Sequence, residues 1–345
     1  MSSKYRVIQY GLGVMGSQMV QMMLGKRDLE VVAAISGSGR LAGSDLSRAI
    51  GLDNEIGIVI SANADEVFRT VDADVVLHAT TSWYEESFVQ TREALRTGKN
   101  VITIAEEASH PWIEANAKTA REIDSIAKEH CVTFLGTGVN PGFMMDYLPI
   151  TLTGVLKQVD RIRIRRVIDW SRYGPTLFEH ICAGKSVEDF ERARERGEVS
   201  FHVGLEHSLR LTAEALGWEL DSYSETAEVR LTKSRRNTRY MVLEPGTVCG
   251  YNQAGHGFRQ GKEVLTYEMA AIINPDLVED GTDVGTYISI DGTPGAEITV
   301  GGEFAGQGGW GTVASAVNSI PRVIAARPGV VTVAELPPWP CLPQA

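Results

Sequence analysis

Along the N-terminal part of the chain, short apolar runs alternate with stretches of helical spacing. Val7, Ile8 and Tyr10 belong to the first run, and Ser17–Leu24 follows it with Met19, Val20, Met22, Met23 and Leu24 as apolar surface. EVVAAI (Glu30–Ile35), Ile56–Ile60, DVVLHA (Asp74–Ala79), NVITIA (Asn100–Ala105) and VTFLGT (Val132–Thr137) continue the series. Helices are expected at Glu85–Thr97, closed by Gly98, and at Trp112–Lys128. Unbroken apolar runs between helical segments predict parallel strands covered on both faces.

After Gly154 the pattern changes. RIRIRRVI (Arg161–Ile168) alternates at first like a half-buried strand, with its arginines expected on a solvated face. Pro175–Cys182 and Val187–Arg196 read as helical, and the stretch Phe201–Leu216 contains a further helix with Leu205, Leu209 and Leu216 on or near one face and His207 expected at the surface. Between Ser222 and Val300 the runs AEVRL, YMVL, VLTYEMAAII, TYISIDG and AEITV are separated by glycines, which predicts a mostly antiparallel sheet. A glycine-rich hinge, Gly301–Gly311, leads to a helix at Thr312–Ala326, with Thr312 as N-cap, that returns to the first domain. Phe143, Met144 and Met145 are expected to begin a helix at the junction.

Composition narrows the class. A chain of 345 residues is long for one core, which favours two domains. The formal charge of −11 argues against nucleic acid and anionic membrane surfaces as partners. No apolar run reaches the roughly 18 residues needed to span a bilayer, and no apolar signal segment opens the chain. Cys131, Cys182, Cys249 and Cys341 are scattered, which fits a reducing cytoplasm and offers no metal site.

The candidate chemistry begins at Gly11-Leu12-Gly13-Val14-Met15-Gly16, a G-x-G-x-x-G between a strand and a helix. That context is a dinucleotide fingerprint: the glycines permit a tight turn, close approach of a pyrophosphate and close helix packing. The helix N-terminus adds free N–H groups and a positive dipole end. The second run ends in Ser36, Ser38 and Arg40 rather than a carboxylate, which favours NADP over NAD. Thr80 and Thr81 follow the fourth run, where ligands lie in doubly wound sheets. His78, inside that apolar run, reads as a hydrogen-bonded core residue.

Glu106 and Glu107 stand at the end of the fifth run. A carboxylate desolvated there is suited to general-base work, and the competing expectation is that both begin a helix. In the loop GTGVNPGFMMD, Asn140 is a candidate for the cofactor or substrate and Phe143 for the wall of an apolar pocket. His202 precedes a helix and is a candidate pocket residue. The fold expected is α/β: a Rossmann doubly wound sheet (1–145), a second α+β domain for substrate and dimerisation (146–309), and a C-terminal helix returning to the first domain (310–345).

GLGVMGSQ, VITIAEE, GTGVNPGFMMD and FHVGLEHSL together resemble the 2,4-diaminopentanoate dehydrogenase and native amine dehydrogenase family, and more broadly the dihydrodipicolinate reductases. The resemblance implies oxidative deamination of an amine with NAD(P), or reductive amination of a carbonyl with ammonia. It carries a catalytic glutamate onto Glu106 or Glu107, with Glu106 ranked first as nearest the strand end, and pocket roles onto Asn140, Phe143 and His202. A homodimer is expected. The alternatives are a C=N or C=C reductase like dihydrodipicolinate reductase, a carbonyl or alcohol oxidoreductase, and a non-enzymatic NADP-binding sensor.

Overall fold

A computed structural model of the chain describes residues 4–37, 39–302 and 308–345, so Ser38 lies outside the described residues. The chain divides into two compact units, 1–148 with 308–345, and 149–307. In chain order the strands of the first unit are β1 (Tyr5–Tyr10), β2 (Leu29–Ile35), β3 (Ile60–Ser61), β4 (Val75–His78), β5 (Asn100–Thr103) and β6 (Thr133–Gly136). The second unit carries β7 (Gln158–Asp169), β8 (Ser222–Leu231), β9 (Arg236–Asn237), β10 (Val242–Leu243), β11 (Val248–Arg259), β12 (Lys262–Ile272), β13 (Gly285–Thr293) and β14 (Ala296–Val300). β15 (Gly329–Val331) then rejoins the first sheet.

Helices α1 (Val14–Leu24), α2 (Leu46–Ile50), α3 (Ala64–Thr70), α4 (Tyr84–Arg96), α5 (Ala117–Glu129) and α6 (Tyr147–Thr153) precede β7. The second unit adds α7 (Pro175–His180), α8 (Val187–Glu195), α9 (Leu205–Ala215) and α10 (Leu277–Asp280), and α11 (Gly308–Ile324) follows.

The first sheet is parallel throughout and runs β15-β6-β5-β4-β1-β2-β3. The chain builds outward from β1 through β2 to β3, then crosses to β4, so the order reverses between β1 and β4. In such sheets ligands bind beyond the strand C-termini at this reversal. Ile8, Val76, Val101 and Phe134 are fully buried and share one apolar core with α3, α4 and α5. α11 packs against α1 and against β4, β5 and β6.

The third strand is shorter than its apolar run suggests. The Asp45 carboxylate accepts from the amides of Ser47, Ile56 and Gly57 at 2.9, 3.1 and 2.9 Å, so residues 56–57 are held in a loop and only Ile60–Ser61 pairs with β2. A hydrogen bond from the Ser47 side chain, together with those from the three amides, lowers the Asp45 pKa to about 2. The helix expected from Trp112 begins only at Ala117, because residues 111–116 are turns. Residues 143–145 form turns rather than a helix start. The buried Asp146 carboxylate accepts from Gly142 and Tyr147 amides at 2.7 Å each and closes that loop before α6. Thr312 is not an N-cap: it lies inside α11, where its hydroxyl accepts from the Val139 amide at 3.2 Å.

The second unit centres on a six-stranded sheet, β14-β13-β7-β12-β11-β8, antiparallel except between β7 and β12. α9 covers one face through β11 and β12. β11 carries Gly255 and Gly257 where a Cβ would come within 2.9 Å of the Tyr223 hydroxyl and of Leu209 on α9. The same glycines broke the apolar run and hid this strand from periodicity. On β7 the alternation puts Ile162 and Ile164 inside and Arg161, Arg163 and Arg165 outside, each paired with Glu263, Asp291 or Glu268. Arg166 departs from the expected solvated face and is 1% exposed. His207, expected at the surface, is buried on α9. Among the described residues no helix is long and apolar enough to cross a membrane.

Candidate active site

β1 ends in the fingerprint turn. Gly11 has φ +95°, and a Cβ there would sit 2.4 Å from the Ala79 carbonyl oxygen at the end of β4. At Gly16 a Cβ would lie 1.9 Å from the Gly11 carbonyl oxygen, so the helix rests directly on the turn. Gly13 differs: nothing lies within 4 Å of its Cβ position, and α1 starts after it with no side chain capping its first turn. Open space beside uncapped N–H groups is what a pyrophosphate requires. A dinucleotide therefore fits this chain's own residues.

A cavity of about 780 Å³ opens on this turn, lined by Gly11, Leu12, Gly13, Ser36, Arg40 and Thr80 among others. Leu41, Arg48 and Gln90, which the strand-by-strand reading did not single out, complete it. Arg48 comes from α2, a five-residue helix without enough periodicity to be read in advance. Arg40 and Arg48 are exposed, and among the described residues no carboxylate lines the cavity. Val14 is 72% exposed on α1, and Met15 lies against Gly309 of α11. Thr81 is not in the lining: its hydroxyl donates to Glu86 at 2.6 Å and accepts from the Trp83 amide, at the start of α4.

The two glutamates part company. They occupy a short 3-10 turn, Glu106–Ser109, after β5. Glu107 accepts the Tyr84 amide at 2.9 Å, so it satisfies a free N–H at the start of α4. Glu106 is bonded to Ser82, yet burial pushes its pKa up, and the neighbouring Glu107 charge adds to that rise. One residue is thus a helix cap and the other a desolvated carboxyl group.

Asn140 and Phe143 lie in the loop before α6 and outside the glycine-turn cavity; Phe143 packs on Tyr147 at 6.0 Å between ring centroids. His202 belongs to the second unit, where its backbone exchanges hydrogen bonds with the Gln253 amide at 2.9 and 3.0 Å. Burial and the charge of Arg166 push the His202 pKa down to about 4, so it is neutral at pH 7. Arg166 donates to the Thr286 hydroxyl at 2.8 Å, while its Nε and Nη2 find no partner among the described residues. Burial lowers even its pKa, to about 10.

Known proteins share the sequence and the fold of this chain. Residues 143–344 match the 2,4-diaminopentanoate dehydrogenase C-terminal domain, and residues 5–104 match the dihydrodipicolinate reductase N-terminus. The 2,4-diaminopentanoate dehydrogenase of Acetoanaerobium sticklandii is 35% identical over 338 residues, covering 97% of this chain and 94% of that protein. The amine dehydrogenase of Mycobacterium smegmatis superposes with a TM-score of 0.82 at 26% identity, covering 97% of each chain. Dipicolinate-bound dihydrodipicolinate reductase from Paenisporosarcina sp. TG-14 shares the fold, with a TM-score of 0.52 at 12% identity over 95% of this chain and 97% of that one. Matched over residues 143–344 by the family's C-terminal domain and almost end to end by a relative 35% identical, this chain belongs to the 2,4-diaminopentanoate dehydrogenase family.

Proposed function

We propose that this family member is an amine dehydrogenase that prefers NADP and uses Glu106 as its general base. The observation that carries the reading is the contrast at the end of β5: Glu107 is committed to the Tyr84 amide, whereas burial raises the Glu106 pKa. A carboxylate with a raised pKa exchanges protons more effectively near neutral pH than an ordinary one.

In the direction of deamination, Glu106 takes a proton from the substrate ammonium and leaves the nitrogen lone pair free. A bound nicotinamide supplies the hydride acceptor. Once that proton has passed to solvent, the Glu106 carboxylate stabilises the cationic C=N group of the oxidised substrate in a low-dielectric setting. Glu106 next accepts a proton from attacking water and returns it to the nitrogen, so that ammonia leaves and the carbonyl forms. Reductive amination follows the same steps in reverse. The base is active only when ionised, so deamination falls as pH drops through its raised pKa.

Support for NADP comes from Arg40 and Arg48, which join Ser36 in lining a cavity without carboxylates. Guanidinium groups suit a phosphate monoester better than a ribose hydroxyl. The substrate class is drawn from the relative at 35% identity, which is named 2,4-diaminopentanoate dehydrogenase; a diamino or 4-amino acid is the substrate proposed here. A cytoplasmic homodimer built on the open face of the second sheet completes the proposal.

The test is a spectrophotometric screen of amines with NADP+ and NAD+, and of carbonyl compounds with the reduced cofactors, with and without ammonium. Ammonium-dependent oxidation of the reduced cofactor by a 4-oxo acid is expected. Turnover of carbonyl compounds without ammonium would favour a carbonyl reductase instead. Cofactor binding with no turnover of any amine or carbonyl would favour a sensor.

A further inference from the structure

His78 ends β4 with no exposed surface and makes polar contacts on both sides of its ring. Nδ1 lies 2.9 Å from the Thr103 hydroxyl, and Nε2 lies 2.7 Å from both the Gln90 carbonyl oxygen and the Thr80 hydroxyl. Thr80 also bonds Gln90. On the far side, Thr103 accepts from the Ala105 amide at 3.1 Å and from the Ser87 hydroxyl at 3.3 Å.

Donor and acceptor accounting gives this chain a direction. Ala105 and Ser87 fill the two lone pairs of the Thr103 oxygen, so its own proton must go to His78 Nδ1. The ring proton then sits on Nε2 and points at Gln90 and Thr80. The opposite tautomer would give Thr103 a third donor and set a bare Nε2 against the Gln90 carbonyl oxygen. Burial keeps the ring neutral, with its pKa pushed down to about 4, so one arrangement persists across the working pH range.

Both ends of the chain of bonds matter. Thr80 and Gln90 line the glycine-turn cavity. Ala105 is the residue immediately before the turn that carries Glu106. We infer that His78 is a positioning residue: through Thr103 and Ala105 it couples what Thr80 and Gln90 touch in the cavity to the pose of Glu106. This rests on the role proposed above for Glu106. It adds that the cofactor does not only sit beside the base but sets its placement.

The experiment uses isotope-labelled full-length enzyme titrated with NADP+ and followed by NMR. Expected in the wild type are a neutral His78 ring with its proton on Nε2, and movement of the His78 ring and the Ala105 and Glu106 amide signals together as cofactor binds. In Thr103→Val the ring should still respond while the two amides stay near their free positions; Thr103→Ser should restore the wild-type response. Turnover supplies a second readout. Thr103→Val should lower kcat roughly tenfold to a hundredfold through a misplaced base, with NADP+ affinity changed less than about twofold. His78→Gln serves as a second break in the chain.

A proton on Nδ1, or amide signals in Thr103→Val that follow NADP+ as in the wild type, would overturn the coupling. So would equal losses in kcat for Thr103→Val and Thr103→Ser. The NMR arm needs only cofactor binding, so it decides the coupling even if Glu106→Gln retains full turnover and the functional reading fails.

Discussion

Among the described residues of the second unit two arginines are buried, and they live under opposite conditions. Arg236, 2% exposed, donates to the Thr232 hydroxyl, the Ile273 carbonyl, Glu279 and Asp280 at 2.8, 3.2, 2.5 and 3.1 Å. Its carboxylate partners are occupied in turn: Glu279 also accepts from the Lys233 amide and Ser234, and Asp280 from Arg230. Arg166, 1% exposed, has one hydrogen-bond partner among the described residues, the Thr286 hydroxyl. A buried cation with every donor used holds structure together; one with unused donors carries a desolvation cost that its contacts do not offset. The same contrast separates Glu107, which caps α4, from Glu106, which does not.

That comparison is open to attack, most strongly at the glutamates. Glu106→Gln should cut turnover by roughly 10²–10⁴-fold with cofactor affinity retained, as for loss of a general base. Glu107→Gln should lose less than about tenfold in turnover but lower thermal stability, since it weakens a cap. Steady-state kinetics and thermal melts on both variants decide this; equal turnover would dissolve the distinction.

Next in size is the arginine pair. Arg236→Met leaves two carboxylates without their main partner and should destabilise by about 3–5 kcal/mol. Arg166→Met removes an unsatisfied charge and should change stability by less than about 1 kcal/mol, or raise it. Denaturant titrations measure both.

Acid stability probes the buried neutral groups. Burial pushes His78 and His207 down to about 4. An unfolded histidine protonates near 6.5, so between pH 6.5 and 4 the unfolded state binds protons that the folded state refuses. Stability should therefore fall with falling pH across that window, by about 1.4 kcal/mol per pH unit for each histidine. Unfolding midpoints in His207→Leu should show a shallower decline. The smallest effect is expected at the cavity rim, where Arg40→Ala and Arg48→Ala should each raise KM for NADP roughly three- to tenfold and leave NAD nearly unchanged, because exposed charge pairs contribute little.

Much of the first unit was legible in order. Runs such as DVVLHA became buried parallel strands, and Gly11 and Gly16 pack the tight turn where the spacing placed it, with open space at Gly13. The misses share a cause. The third run was shortened by Asp45 bonding across to Ile56 and Gly57, Arg48 reached the cavity from a helix too short to show a period, and β11 was hidden because its glycines serve contacts with Tyr223 and Leu209.

Strand, turn and helix at the N-terminus were thus determined by the sequence itself, because periodicity and glycine conformation are properties of neighbouring residues. Glu106 and Glu107 are adjacent and chemically identical, and only the tertiary structure told them apart, through a backbone amide 23 positions away. The same holds for Arg165, which meets Glu268 across the open face of the sheet, and Arg166, which is buried beneath it. The state of a charge depends on what surrounds it in space, and that is settled by packing between distant parts of the chain.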